Sequence, residues 1–231
     1  DVIVGLPYYD SGQDDEGRAL VFHGSAAGIE GSASWNKESD QAGANLGWSV
    51  ATAGGNVCNA SPAADLMPFL CAHNARVRLI AKGSRRTLPV EGLVTGPGTT
   101  VIGPDELLAA LIVPAWSPTV SFWRKAGTRR ANALTKVSLF ACADCDGTTV
   151  HRARLALGAV APTVVRLREV ERMLEGAAVA DLAGISRRAF DACAAAVHPI
   201  DDQRSTADYR RTVACALVGH FISAVLGGRR T

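Results

Sequence analysis

No stretch of this sequence is apolar for long enough to cross a bilayer, and no basic patch leads into an apolar run at its start. Neither a spanning helix nor a signal peptide is therefore expected. Charge of neither sign accumulates: 24 Lys and Arg against 22 Asp and Glu leave a formal net charge of +2. Arginine supplies most of the positive charge but is scattered, so the electrostatic footprint of a nucleic-acid or anionic-membrane binder is missing. The six cysteines include one CxxC, Cys142-Ala-Asp-Cys145, with no second pair to complete a zinc site and no ferredoxin-type spacing. In a chain of 231 residues with an apolar content of 48%, reduced and mostly buried thiols are the expectation. His23, His73, His151, His198 and His220 are too widely spaced for a ligand pattern, and no HExxH, nucleophile elbow, GxGxxG or Gly-Lys-Ser/Thr is present.

What the sequence does contain is the run Thr52-Ala-Gly-Gly-Asn-Val-Cys-Asn-Ala-Ser-Pro-Ala-Ala-Asp65. Paired glycines allow φ > 0 and close approach of a ligand to the main chain, so a backbone bend is expected at Gly54-Gly55. Thr52, Asn56, Asn59 and Ser61 place short hydrogen-bonding side chains around it. The pattern suits an extended polar ligand such as a phosphate ester; a plain turn ahead of a Ser-Pro helix start fits the same residues.

As a combined motif, T-x-G-G-N-x-x-x-A-S-P-x-x-D resembles the signature of the FAD-binding subunit of the molybdenum hydroxylases, the family of xanthine dehydrogenases and aerobic carbon monoxide dehydrogenases. Further similarity runs through GSRRTLPVEGLVTGPGTTVIGPDELLAALIVP, LALGAVAPTVVRLREVERMLEG and HPIDDQRSTADYRR, so that it covers residues 47–226. The resemblance implies that Thr52, Gly54, Gly55, Asn56, Asn59 and Asp65 surround the flavin nucleotide. It also implies an apolar contact from Leu108 and a basic one from Lys125. The implied cofactor is FAD, with no catalytic side chain and no metal ligand in this chain.

Residues 1–46 read differently. Short β-rich runs and polar turns in DVIVGLPYYDSGQDDEGRALVFHGSAAGI resemble an FG-GAP repeat of integrin-type propellers. Asp10, Asp14, Asp15 and Glu16 lack the EF-hand spacing, and a solvated acidic turn is expected there.

Beyond the motif, Leu66 to Ala72 reads as a short helix or turn, and Arg76 to Lys82 with Thr87 to Val90 as a hairpin turned at Gly83-Ser84. Pro104-Asp-Glu-Leu-Leu reads as a helical or turn segment and Ala110 to Pro114 as a strand. A strand at Ser121 to Lys125 and a hairpin around Asp144-Cys-Asp-Gly follow. Three helices come last: Leu167 to Gly176, Asp181 to Val197, and Thr206 to Leu226, the last opened by a capping box at Ser205-Thr-Ala-Asp208. The fold class is α+β: a truncated FAD-binding subdomain, then a domain of three antiparallel strands and three helices. The domains are expected at 1–46, 47–116 and 117–228.

By resemblance the chain is an electron-transfer subunit, a cytoplasmic partner of a molybdopterin-binding large subunit and a 2Fe-2S small subunit, passing electrons to NAD+, oxygen or another acceptor. The family's first glycine-rich loop is absent from this sequence, which implies weakened FAD binding. The competing readings are a calcium-dependent extracellular propeller fragment and a non-functional hybrid.

Overall fold

The computed structural model describes residues 2–6, 18–22, 24–25, 28–29, 35–38, 54–129 and 134–226. In chain order, β1 (Val2–Leu6), β2 (Arg18–Phe22), β3 (Gly24–Ser25), β4 (Gly28–Ile29) and β5 (Trp35–Glu38) come first, then a helical turn α1 over 54–58. Next are α2 (Leu66–Ala72), β6 (Arg76–Ala81), β7 (Ser84–Pro89), β8 (Val94–Gly96), β9 (Thr99–Thr100) and β10 (Leu107–Ile112). The chain ends in β11 (Val120–Ala126), β12 (Val137–Cys145), β13 (Val150–Gly158), β14 (Val165–Arg166), α3 (Arg168–Leu174), α4 (Leu182–Ala196) and α5 (Ala207–Leu226). Two compact units result: residues 1–59, 74–93 and 99–114 form one, and residues 60–73, 94–98 and 115–231 the other.

In the first unit β1, β2 and β5 form one antiparallel sheet, and β10, β6 and β7 another in that order. Alternation along Arg76-Val-Arg-Leu buries Val77 and Leu79 while the arginines face outward. The expected turn is present, with Gly83 at φ +79°, a conformation that a Cβ would penalise. Pro104-Asp-Glu is a turn, and the strand after it starts at Leu107, earlier than expected. The helix-start acids are used otherwise: Glu106 binds the Arg86 guanidinium through both oxygens and also accepts from Gly103 N–H at 2.7 Å. The acidic turn around Asp10 to Glu16 lies outside the described residues.

The second unit is built on the antiparallel sheet β11-β12-β13-β14, which has four strands where three were expected. The extra strand is Val165–Arg166, too short to show alternation. Cross-strand neighbours Leu139↔Leu157 and Ala141↔Leu155 turn one face toward the helices, where Val170, Leu174, Leu182, Ala189, Phe221 and Ile222 complete the core. Gly176 ends α3 at φ +82°, and Thr206 caps α5, its hydroxyl accepting from Tyr209 N–H at 3.3 Å. The capping residue is thus Thr206, one beyond the expected Ser205.

The opposite face of this sheet carries α2. Phe69 meets Phe140 edge-on, ring centroids 5.1 Å apart. A Cβ on Gly158 would lie 2.6 Å from Ser138 Oγ and 3.1 Å from Pro68 Cγ. The missing side chain is what lets α2 settle there.

A buried ion pair fixes the far end of α2. Glu171 accepts from Arg166 Nε and Nη2 at 2.9 Å each and from Leu155 N–H at 2.8 Å, and Arg166 Nη1 donates to Cys71 O at 2.6 Å. Both side chains are almost fully buried.

Candidate functional site

The glycine-rich run does not bend at positive φ. Residues 54–58 are helical, and neither Gly54 nor Gly55 is among the positive-φ glycines. The second property of glycine is the one in use. Among the described residues, a Cβ on Gly55 would find nothing within 4 Å, and one on Gly54 would meet only Leu108 Cδ2 at 4.0 Å. The main chain here is open to close approach.

Next to the glycines, Asn56 Oδ1 is buried and has no hydrogen-bond partner among the described residues. An unsatisfied amide oxygen of this kind costs about 1–3 kcal/mol unless a ligand supplies a donor. Val57, on the same turn, is fully buried. Asn59 closes the turn through its N–H to Gly55 O at 2.9 Å, leaving its side chain exposed. The first unit therefore brings Gly54, Gly55, Asn56, Asn59 and Leu108 together on α1 and β10, while Thr52 lies outside the described residues.

Asp65 and Lys125 belong to the second unit, where they meet one another. Asp65 sits at the N-terminus of α2, yet its carboxylate caps no helix N–H. It instead accepts from Lys125 Nζ and Thr135 Oγ1, each at 2.5 Å. Lys125 can reach it because alternation along β11 puts Trp123 and Lys125 on the face of the sheet that carries α2. Thr135 was not anticipated: it lies 70 residues from Asp65 and no local pattern links them. Near α2, His73 stacks on Phe69 at 4.3 Å and on Phe140 at 5.3 Å. Burial lowers its pKa against the opposing hydrogen bond to the Phe69 carbonyl.

The cysteines are all free. Cys142 is buried in β12 and its thiol is pushed up to about 12 by desolvation, while Cys145 lies beyond a β-bulge at the strand end. Among the described residues no group of three or more His, Cys, Asp or Glu is arranged to hold a metal ion, and no helix is long and apolar enough to cross a membrane.

An α+β chain with an open glycine pair and an orphaned amide oxygen beside it has the features of a subunit that accommodates a ligand along its main chain. Comparison with known proteins makes the class specific. Residues 35–116 match the FAD binding domain in molybdopterin dehydrogenase, and residues 123–225 match the CO dehydrogenase flavoprotein C-terminal domain. The chain thus carries the FAD-binding and C-terminal domains found in the medium subunits of the molybdenum hydroxylases, and FAD is the cofactor that the first of these domains binds.

The carbon monoxide dehydrogenase medium chain of Hydrogenophaga pseudoflava is 30% identical over 173 residues, covering 75% of this chain and 60% of that one. A putative xanthine dehydrogenase FAD-binding subunit of Escherichia coli is 30% identical over 130 residues, covering 55% of this chain and 44% of its own length. The glyceraldehyde dehydrogenase medium chain of Sulfolobus acidocaldarius is 27% identical, covering 71% and 57%. In the structure of carbon monoxide dehydrogenase from Hydrogenophaga pseudoflava, the matching chain superposes with a TM-score of 0.70 at 27% identity, over 76% of this chain and 61% of that one. The chain thus spans about three-fifths or less of the length of these relatives.

Proposed function

We propose that this chain binds FAD and serves as the flavin station of a molybdenum hydroxylase complex. Gly54, Gly55 and Asn56 would hold the cofactor by close main-chain approach and by a donor to the Asn56 amide oxygen. The resemblance adds Thr52, Asn59, Leu108, Asp65 and Lys125 to the residues assigned to the cofactor. When bound, FAD supplies the electron-carrying chemistry, and the protein supplies binding and electrostatics.

Within the chain, the work of these residues is positional. Leu108 covers Gly54 on one side. Thr135 and Lys125 fix both oxygens of Asp65, so that the carboxylate is held in one orientation and the lysine charge is balanced. The clamp from Arg166 and Glu171 onto Cys71 O holds α2, and with it Asp65, against the sheet.

The partners follow from the same reading: a molybdopterin-binding large subunit and a 2Fe-2S small subunit upstream, with NAD+, oxygen or another acceptor downstream. The observation that carries the proposal is the unpartnered Asn56 oxygen beside two glycines whose Cβ positions are open. Purification of the chain with FAD present, followed by denaturation and assay of released flavin, tests it. About one flavin per chain is the expected yield; protein that releases none after exposure to excess FAD overturns the reading.

A further inference from the structure

We infer that the second unit carries a separate site for a small organic phosphate with an apolar body, anchored by Arg204. Two cavities of about 270 and 410 Å³ are both lined by this residue. Among the described residues the larger is lined by Thr128, Arg129, Leu134, Lys136, Gln203 and Arg204: three cations, two neutral hydrogen-bonding side chains and no carboxylate. The smaller is walled mainly by apolar groups, Pro62, Pro97, Pro162 and the exposed Ile200 among them, with His198, Asp202 and Arg210 also lining it.

The charges around these cavities are not equally committed. Arg210 is buried and held by Ala159 O at 2.8 Å and Asp202 Oδ1 at 2.7 Å, so its charge is balanced by that carboxylate. Lys136 lies over the Tyr209 ring, 5.3 Å from its centroid. Arg204 is half-buried as a residue, yet among the described residues only its backbone N–H is bonded, to Asp202 Oδ1 at 2.8 Å.

Asp202 also accepts from Ser205 N–H at 3.1 Å, so the turn that presents Arg204 is fixed on both sides by one carboxylate. A half-buried cation on a fixed turn, without an internal partner, is arranged for an external anion. The guanidinium fork matches phosphate oxygens, and Thr128 and Gln203 add neutral donors. The proline-walled cavity on its other side suits an apolar substituent on that phosphate. The two cavities together ask for both features in one molecule.

The probe is phenyl phosphate, titrated calorimetrically into the full chain, with inorganic phosphate and phenol as separate controls and with FAD absent or saturating. The expected result is saturable binding of phenyl phosphate, about tenfold or more tighter than inorganic phosphate, that persists when FAD is bound. Arg204→Gln and, independently, Lys136→Gln should each weaken it by about tenfold while leaving the unfolding midpoint in place. No binding to the unsubstituted chain, equal affinity in a folded Arg204→Gln variant, or equal affinity for inorganic phosphate overturns the proposal. Complete displacement by FAD also overturns it, because the site would then be the flavin's own. Persistence of binding in a chain that fails to take up FAD would uphold this site while sinking the flavin reading.

Discussion

Replacing Glu171 by alanine isolates the contact that holds α2 in place. The substitution removes three hydrogen bonds at once: two from the Arg166 guanidinium at 2.9 Å and one from Leu155 N–H at 2.8 Å. Arg166 remains, with its side chain only 4% exposed and deprived of the Glu171 carboxylate. Breaking a buried pair from one side in this way costs about 3–5 kcal/mol, much of it the penalty of leaving the other charge unpaired. With a urea slope of about 2 kcal/mol per M, the midpoint should fall by about 1.5–2.5 M.

The double variant Arg166→Met with Glu171→Leu behaves differently, because it removes both charges and fills the space with apolar atoms. It leaves the Leu155 N–H and the Cys71 carbonyl to find other partners at about 1–3 kcal/mol each, offset by the relief from desolvating an ion pair. It should therefore be less destabilised than the sum of its single variants by about 2 kcal/mol or more. Urea unfolding followed by tryptophan fluorescence and by circular dichroism measures both. A cost under about 1 kcal/mol for Glu171→Ala, or strict additivity in the double variant, would refute the argument that this pair is a buried, mutually dependent clamp.

Three further outcomes are expected. Gly158→Ala forces a Cβ against Ser138 Oγ at 2.6 Å and Pro68 Cγ at 3.1 Å, and it should cost about 1–3 kcal/mol in thermal or urea unfolding; an unchanged midpoint would contradict the packing described for α2. The Arg86 guanidinium, with help from Gly103 N–H, holds the Glu106 carboxyl down at about 2 from an ordinary 4.5. Because the folded value is the lower one, the unfolded chain binds the proton first. The stabilisation is complete above about pH 4.5 and is lost as pH falls toward 2, so Glu106→Gln should flatten the pH dependence of the unfolding midpoint in that window. Parallel curves for the two proteins would rule this out. In Ellman titration of the native chain, Cys58 and Cys145 should react, whereas Cys71, Cys142, Cys193 and Cys215 should need denaturant; burial raises the Cys142 and Cys193 thiols far above the working range.

The elements that were legible in the sequence are those whose signals are local. The helix Leu66–Ala72, the hairpin turned at Gly83 and the three last helices are written in apolar period, glycine placement and capping residues. Where two local signals competed, tertiary partners decided. Glu106 looked like a first-turn acid of a helix, but Arg86 and Gly103 N–H claim it, and the chain turns into a strand at Leu107 instead.

Val165–Arg166 was invisible because two residues show no alternation, and it becomes a strand through its pairing with Ala156 and Leu157. The glycine pair was read both for its conformational freedom and for the close approach it permits, and only the second is compatible with the helical turn found there. The candidate site divides along the same line. Gly54, Gly55 and Asn56 are adjacent and could be singled out together, while the hold of Thr135 on Asp65 depends on a sheet and helix that only the folded chain brings together.

The central claim is that the open glycines and the Asn56 oxygen receive FAD. The most direct measurement is a titration of FAD into the purified chain, followed by quenching of flavin fluorescence, repeated with Gly55→Val and Asn56→Leu. The account predicts saturable quenching at one FAD per chain, weakened by about tenfold or more in each variant while both remain folded. Absence of quenching, or equal quenching in all three proteins, would contradict it.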